Sequence, residues 1–207
     1  MKNLKISSFI LLTLFIAASC SNNSSVKPEN NNTKELNSTI LKDLDKADDL
    51  YINMKSADEN SEELANTALK LAKAHMDKKE FILANFYIQE ALSYKPYDEN
   101  LKFLLVKNQY LAALNNQNDQ NYLERALKAI EENQNLITDY NLMQKAQDLV
   151  NKVKRLLAKS YYNTSQTYKY AKKPDAEQFY IEKINKLGVN LETLRDNTNK
   201  NSTNYEN

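Results

Sequence analysis

Glycine occurs once in 207 residues, proline three times and tryptophan not at all. Scarce Gly and Pro beside abundant Ala, Leu, Lys, Glu, Gln and Asn point to an all-α chain rather than a β or α/β one. The lone glycine also excludes Gly-rich phosphate loops and nucleophile elbows, both of which need several. One histidine argues against a His-based metal site, and one cysteine rules out an internal disulfide. A net charge of +1 supplies no global field to recruit nucleic acid. Carboxylates are plentiful but fall on helix faces suited to solvent, with no partner pattern. Neither a catalytic constellation nor a metal, cofactor, nucleic acid or small-molecule substrate is therefore expected.

What is present begins with a leader. Lys2 and Lys5 precede Ile6–Ala18, a run that is apolar apart from Ser7, Ser8 and Thr13. It is shorter than the ~20 residues that span a bilayer. The small residues Ala17, Ala18 and Ser19 then lead into Cys20, giving a charged region, an apolar region and a cleavage site in order. Ala17-Ala18-Ser19-Cys20 resembles the lipobox of bacterial lipoproteins, with Ala17 where that pattern usually has Leu. The resemblance implies lipid on Cys20, cleavage before it, and a membrane anchor of two or three acyl chains at about 0.8 kcal/mol per buried CH₂. Ser21 rather than Asp after the cysteine is similar to lipoproteins sorted to the outer membrane. The organisation expected is a leader over 1–19, the lipidated cysteine and a polar tether over 20–38, a helical domain over 39–195 and a polar tail over 196–207. The tether offers almost nothing to bury and cannot offset its ordering entropy.

In the body, apolar residues recur at spacings of three and four. Ile40, Leu44, Ala47, Tyr51 and Met54 form one stripe. Asn60 with Glu63 resembles a capping box opening a second helix through Leu64, Ala68, Leu71, Ala72 and His75. Asp77–Glu80 reads as a turn, and Phe81, Ala84, Ile88, Ala91 and Leu92 mark a third helix that stops before Pro96. Asp98 can cap a fourth helix with Leu101, Leu104, Leu105, Leu111 and Ala112 buried. After the loop Asn115–Gln120 comes a fifth, Tyr122 to Ile130. Asp139 can cap a sixth, through Leu142, Ala146, Leu149, Val153, Leu156 and Leu157. That helix either continues to Tyr168 or breaks near Asn163–Ser165. Pro174 suits a first helical turn, and Gly188 a helix C-terminus.

Residues Ala65–Asp98 resemble a tetratricopeptide repeat. The match lies in Leu71, Ala72, Phe81, Ala84, Ile88, Ala91 and Pro96, with His75 where the family often has Tyr and Ala68 where it often has Trp. Two looser hairpins follow. The resemblance implies antiparallel hairpins stacked as a short solenoid whose concave face binds proteins or peptides. On that geometry the concave residues are Asn66, Leu69, Lys73 and Met76, then Lys102, Val106 and Tyr110. Leu69 and Met76 either meet a ligand there or pack on the neighbouring helix. His75 reads as core rather than catalytic.

Charge is unevenly spread. Between Leu149 and Pro174 stand seven basic residues, among them Lys152, Arg155 and Lys159, with no acidic one; Tyr161, Tyr162, Tyr168 and Tyr170 lie between them. Asp43–Glu63 carries eight acidic and two basic residues. The basic run is either a partner-binding surface, with Tyr162 as an aromatic contact, or a patch on anionic headgroups. It is otherwise one of two faces that attract within the fold or simply stay solvated. The function expected is a non-enzymatic, membrane-anchored scaffold for envelope proteins or peptide segments, similar to helical-repeat lipoproteins that assist outer-membrane assembly. The alternative is a surface lipoprotein contacting host molecules.

Overall fold

The computed structural model describes residues 43–57 and 59–194. The leader, Cys20, the tether and the tail lie outside the described residues, as do the first positions of the expected helical domain. Within them the chain forms seven long helices, α1 Leu44–Ser56, α2 Ser61–Asp77, α3 Phe81–Tyr94, α4 Glu99–Asn115, α5 Gln120–Gln134, α6 Tyr140–Tyr170 and α7 Pro174–Lys186, and one further helical turn over 191–194. Each packs on its neighbour in sequence, and α4 also packs on α6. The result is an all-α stack of antiparallel hairpins, a short tetratricopeptide-like solenoid.

Aspartate and asparagine start most of these helices. Asp98 accepts from the amides of Asn100 and Leu101 at 2.9 and 3.1 Å, and Asp139 from Leu142 at 2.8 Å. Asn60 caps α2 through the Glu62 amide at 2.8 Å. Asp43 and Asp119 cap α1 and α5 in the same way. Asp119 moves the start of the fifth helix back to Gln120, inside the stretch that reads as loop. Each such cap stabilises its helix by about 0.5–2 kcal/mol.

The α2–α3 and α6–α7 hairpins close by the same device. Lys79 and Lys172 take left-handed backbone, φ 63° and 53°. The next amides reach back five residues, Glu80 to the His75 carbonyl at 2.9 Å and Lys173 to the Tyr168 carbonyl at 3.0 Å. This is the Schellman closure, usually built on glycine. The one glycine, Gly188, stands at φ 70° just past α7.

Two cores result. Tyr51, Leu71, Ala72, Ile88 and Ala91 are among the side chains enclosed by α1–α3, and Leu101 and Leu105 of α4 join them. Val106 and Ala113, further round α4, belong instead to the second core with Leu123, Ile130, Val150, Val153, Leu157 and Ile184. Helix α4 is thus buried on two sides, and Val106, expected on a concave face, is fully buried. In the first hairpin Ala68, Ala72, Ala84 and Ala91 all have zero exposure. Side chains this small let α2 and α3 approach closely.

Helix α6 runs unbroken for 31 residues, roughly 46 Å at 1.5 Å per residue. Within its polar stretch the hydroxyls bond back to their own helix. Thr164 reaches the Ser160 carbonyl at 3.1 Å, Ser165 that of Tyr162 at 2.7 Å, and Thr167 that of Asn163 at 3.1 Å.

Candidate protein-binding surface

The candidate residues separate by helix. On α2, Leu69 and Met76 are half-buried and pack on the first core. Asn66 is exposed and accepts from Lys95 Nζ at 3.0 Å, while Lys73 faces solvent. On α4, Lys102 is held by Glu99 at 2.6 Å, and Tyr110 packs on the second core. On α6, Lys152 pairs with Asp148 at 2.7 Å, and Tyr162 also packs on the second core.

Arg155 and Lys159 share the exposure of Lys73 but also line a groove. One turn apart on α6, both are exposed and neither has an ion-pair partner among the described residues. They border a groove of 750 Å³ between α6 and the chain after α7. Its apolar lining is Leu156, Leu187, Val189 and Leu194, with Lys154 on the same side as the other cations. Lys154 itself pairs with Glu131 of α5 at 2.9 Å. The groove therefore joins an apolar floor to a cationic edge. The α2 candidates line no part of it. Its far wall is partly legible in the sequence, where Leu187 ends the α7 stripe of Phe179, Ile181 and Ile184 and Leu191 with Leu194 suggests one last short helix; residues 191–194 are helical.

A polar clasp ties α6 to α5 and α7 outside the groove's lining. Tyr161 Oη donates to Glu124 Oε1 at 2.7 Å, and Lys183 Nζ reaches the same oxygen at 3.1 Å. Lys183 also sits over the Tyr161 ring, 4.8 Å from its centroid, joining α5, α6 and α7 at one point. The Tyr161 hydrogen bond, with Lys183, holds the Glu124 carboxyl below its ordinary range. Burial, together with that carboxylate, pushes the Tyr161 hydroxyl up.

The first half uses the same chemistry reciprocally. Tyr51 of α1 donates to Glu90 of α3 at 2.9 Å, and Tyr87 of α3 donates to Asp48 of α1 at 2.8 Å. His75, 1% exposed, lies with Nδ1 2.6 Å from Glu80 Oε2 and Nε2 3.1 Å from Asp48 Oδ1, stacked on Tyr87. It is a packed and bonded core residue, as its place in the helical stripe predicts. Among the described residues the acidic and basic segments form no ion pair with one another. Lys152 and Lys154 bind Asp148 and Glu131, whereas Asp48 binds His75 and Tyr87.

Among the described residues no group of three or more His, Cys, Asp or Glu side chains is arranged for a metal ion. No helix there is long and apolar enough to cross a membrane. No family profile matches the chain, and no solved structure matches it. The chain is similar to the outer membrane protein assembly factor BamD of Helicobacter pylori, at 27% identity over 197 residues, covering 89% of this chain and 88% of that one.

Proposed function

We propose that this protein is a non-enzymatic, protein-binding scaffold in an outer-membrane assembly complex, anchored to the membrane by lipid on Cys20. The observation that carries the reading is the similarity to an outer membrane protein assembly factor along nearly the whole of both chains. The helical stack supports it, since such stacks present broad rigid surfaces rather than enclosed reaction sites. The groove at Arg155 and Lys159 is the contact surface proposed for an envelope partner. An apolar floor supplies burial, and unpaired cations at the edge supply orientation and selectivity. The lipid and a polar tether hold the folded part near the bilayer of the outer membrane.

The test is purification of the tagged chain from detergent-solubilised envelope. A stoichiometric envelope partner is expected, and its recovery falls at least tenfold in an Arg155→Glu, Lys159→Glu variant that folds normally by circular dichroism. Recovery of no partner with the wild-type chain overturns the reading. A Cys20→Ser variant is expected in the soluble fraction; its retention in the membrane overturns the anchor.

A further inference from the structure

Helix α3, FILANFYIQEALSY, is apolar over most of its circumference. Its inner face, Ala84, Tyr87, Ile88 and Ala91, is buried. Yet Ile82 is 87% exposed, Phe86 50% and Leu83 42%, and Ile52 of the adjacent α1 is 58% exposed. A helix apolar on every side is ordinarily enclosed, and large apolar side chains grouped at a surface mark an interaction site.

Between α1 and α3 runs a groove of 270 Å³, with Ile52 and Phe86 as walls and Tyr51 and Tyr87 within it. It is preformed. Tyr51 and Tyr87 meet edge to face at 5.4 Å and Phe86 and Tyr87 at 5.1 Å, and Glu90 and Asp48 hold the two hydroxyls. Rigid aromatic walls lose little entropy when a partner's side chain enters.

Charge around the groove selects the occupant. Asp45 and Asp49 stand one turn apart on the exposed face of α1, leading to Ile52, and neither has an ion-pair partner among the described residues. Asp49 is close enough to Tyr87 to oppose ionisation of its hydroxyl. The nearby cation, Lys55, is neutralised by Glu90 at 2.6 Å. The groove's own lining is therefore neutral in sum, and Asp45 and Asp49 make the adjoining stretch of α1 negative. Anionic headgroups would be repelled by that stretch. Two copies related by a two-fold axis would set the same acidic stretch against itself.

We infer that the α1–α3 groove docks an amphipathic helix of another protein, one that carries lysine or arginine beside its apolar face. Such a helix inserts apolar residues spaced by three and four into the groove and sets its cations against Asp45 and Asp49. The contact adds a second surface to the scaffold reading. Its chemistry is opposite to that of the Arg155–Lys159 groove, so the two surfaces take different partners.

The probe is a labelled synthetic helix of about five turns, leucine on one face and lysine on the other, titrated onto the purified chain by fluorescence anisotropy. A matched helix with glutamate in place of lysine is the control. The lysine helix is expected to bind at least tenfold tighter than the glutamate helix. Ile52→Ser with Phe86→Ser is expected to weaken it about tenfold, and Asp45→Asn with Asp49→Asn to weaken it and flatten its salt dependence. All four positions are exposed or half-exposed, and circular dichroism checks that each variant folds. Arg155→Glu with Lys159→Glu leaves this binding unchanged, so failure here is separate from failure of the envelope purification. Equal binding of both helices, or binding that survives the Ile52 and Phe86 changes, overturns the inference. So does Phe86-dependent sedimentation with phosphatidylglycerol vesicles, which assigns the face to a membrane, or a Phe86-dependent dimer, which assigns it to a second copy.

Discussion

At the scale of single residues, the backbone sets the sharpest demands. Lys79 and Lys172 hold left-handed φ angles that cost an L-residue roughly 1–2 kcal/mol and glycine almost nothing. Lys79→Gly is therefore expected to stabilise the chain by about 1 kcal/mol, less the entropy glycine adds to the unfolded state. Gly188→Ala is expected to destabilise it by about 1 kcal/mol. Apart from the adjoining residues of the chain, no described atom lies within 4 Å of the position an added Cβ would take, so φ and not crowding sets that cost. Urea unfolding of both variants checks the opposite signs. The glycine position could be read from the sequence, since glycine past an apolar stripe marks a helix end. The two lysines could not, because lysine at a left-handed position carries no compositional signal.

At the scale of elements, spacing and caps make most helices legible in the sequence. Asp98, Asp139 and Pro174 stand where they were expected to begin helices, and the stripes through Leu71 and Val153 face the cores. Helix α4 is the informative exception. Its residues are buried toward both cores, so no single stripe describes it, and Val106 fell on the wrong side of a one-face reading. The first hairpin depends on alanines with no room around them. Ala84→Leu is expected to cost about 1–3 kcal/mol by forcing α2 and α3 apart, whereas the same change at half-buried Ala126 of α5 costs well under half as much. Thermal melts of the two variants separate crowding from any general effect of leucine.

At the scale of the molecule, the hairpins are joined by polar ties between elements distant in sequence. Glu99, in the first turn of α4, binds Lys102 at 2.6 Å through one oxygen. Through the other it accepts the amides of Thr138 and Asp139, ahead of α6, at 2.7 and 3.1 Å. The Lys102 hydrogen bond, then the Asp139 and Thr138 amides, hold its pKa at about 2 against an ordinary 4.5. A carboxylate lowered on folding stabilises the fold fully above its unfolded pKa, and that contribution is lost as pH falls from there through about 2. Glu99→Gln is thus expected to lower the urea midpoint near neutral pH, with the gap from wild type closing toward pH 2. A gap of constant size across that range would show that the carboxylate charge is not what ties α4 to α6.

The sequence by itself determined the helical class, most helix starts, the first hairpin and the burial of His75, because periodicity, capping and propensity act within a few turns of one helix. It also located the basic run and the acidic run. Only the tertiary structure brought Lys154 to Glu131 of α5 and set Arg155 and Lys159 at the edge of a groove. Lys152, Lys154 and Lys102 find carboxylates, two of them on the same helix one turn away and one across α5 and α6, while Arg155 and Lys159 do not. It also set Leu187 and Val189 opposite the α6 cations, and Phe86 beside Ile52. Those juxtapositions depend on how neighbouring helices pack and rotate against one another, a property of the assembled stack that no one-dimensional spacing contains.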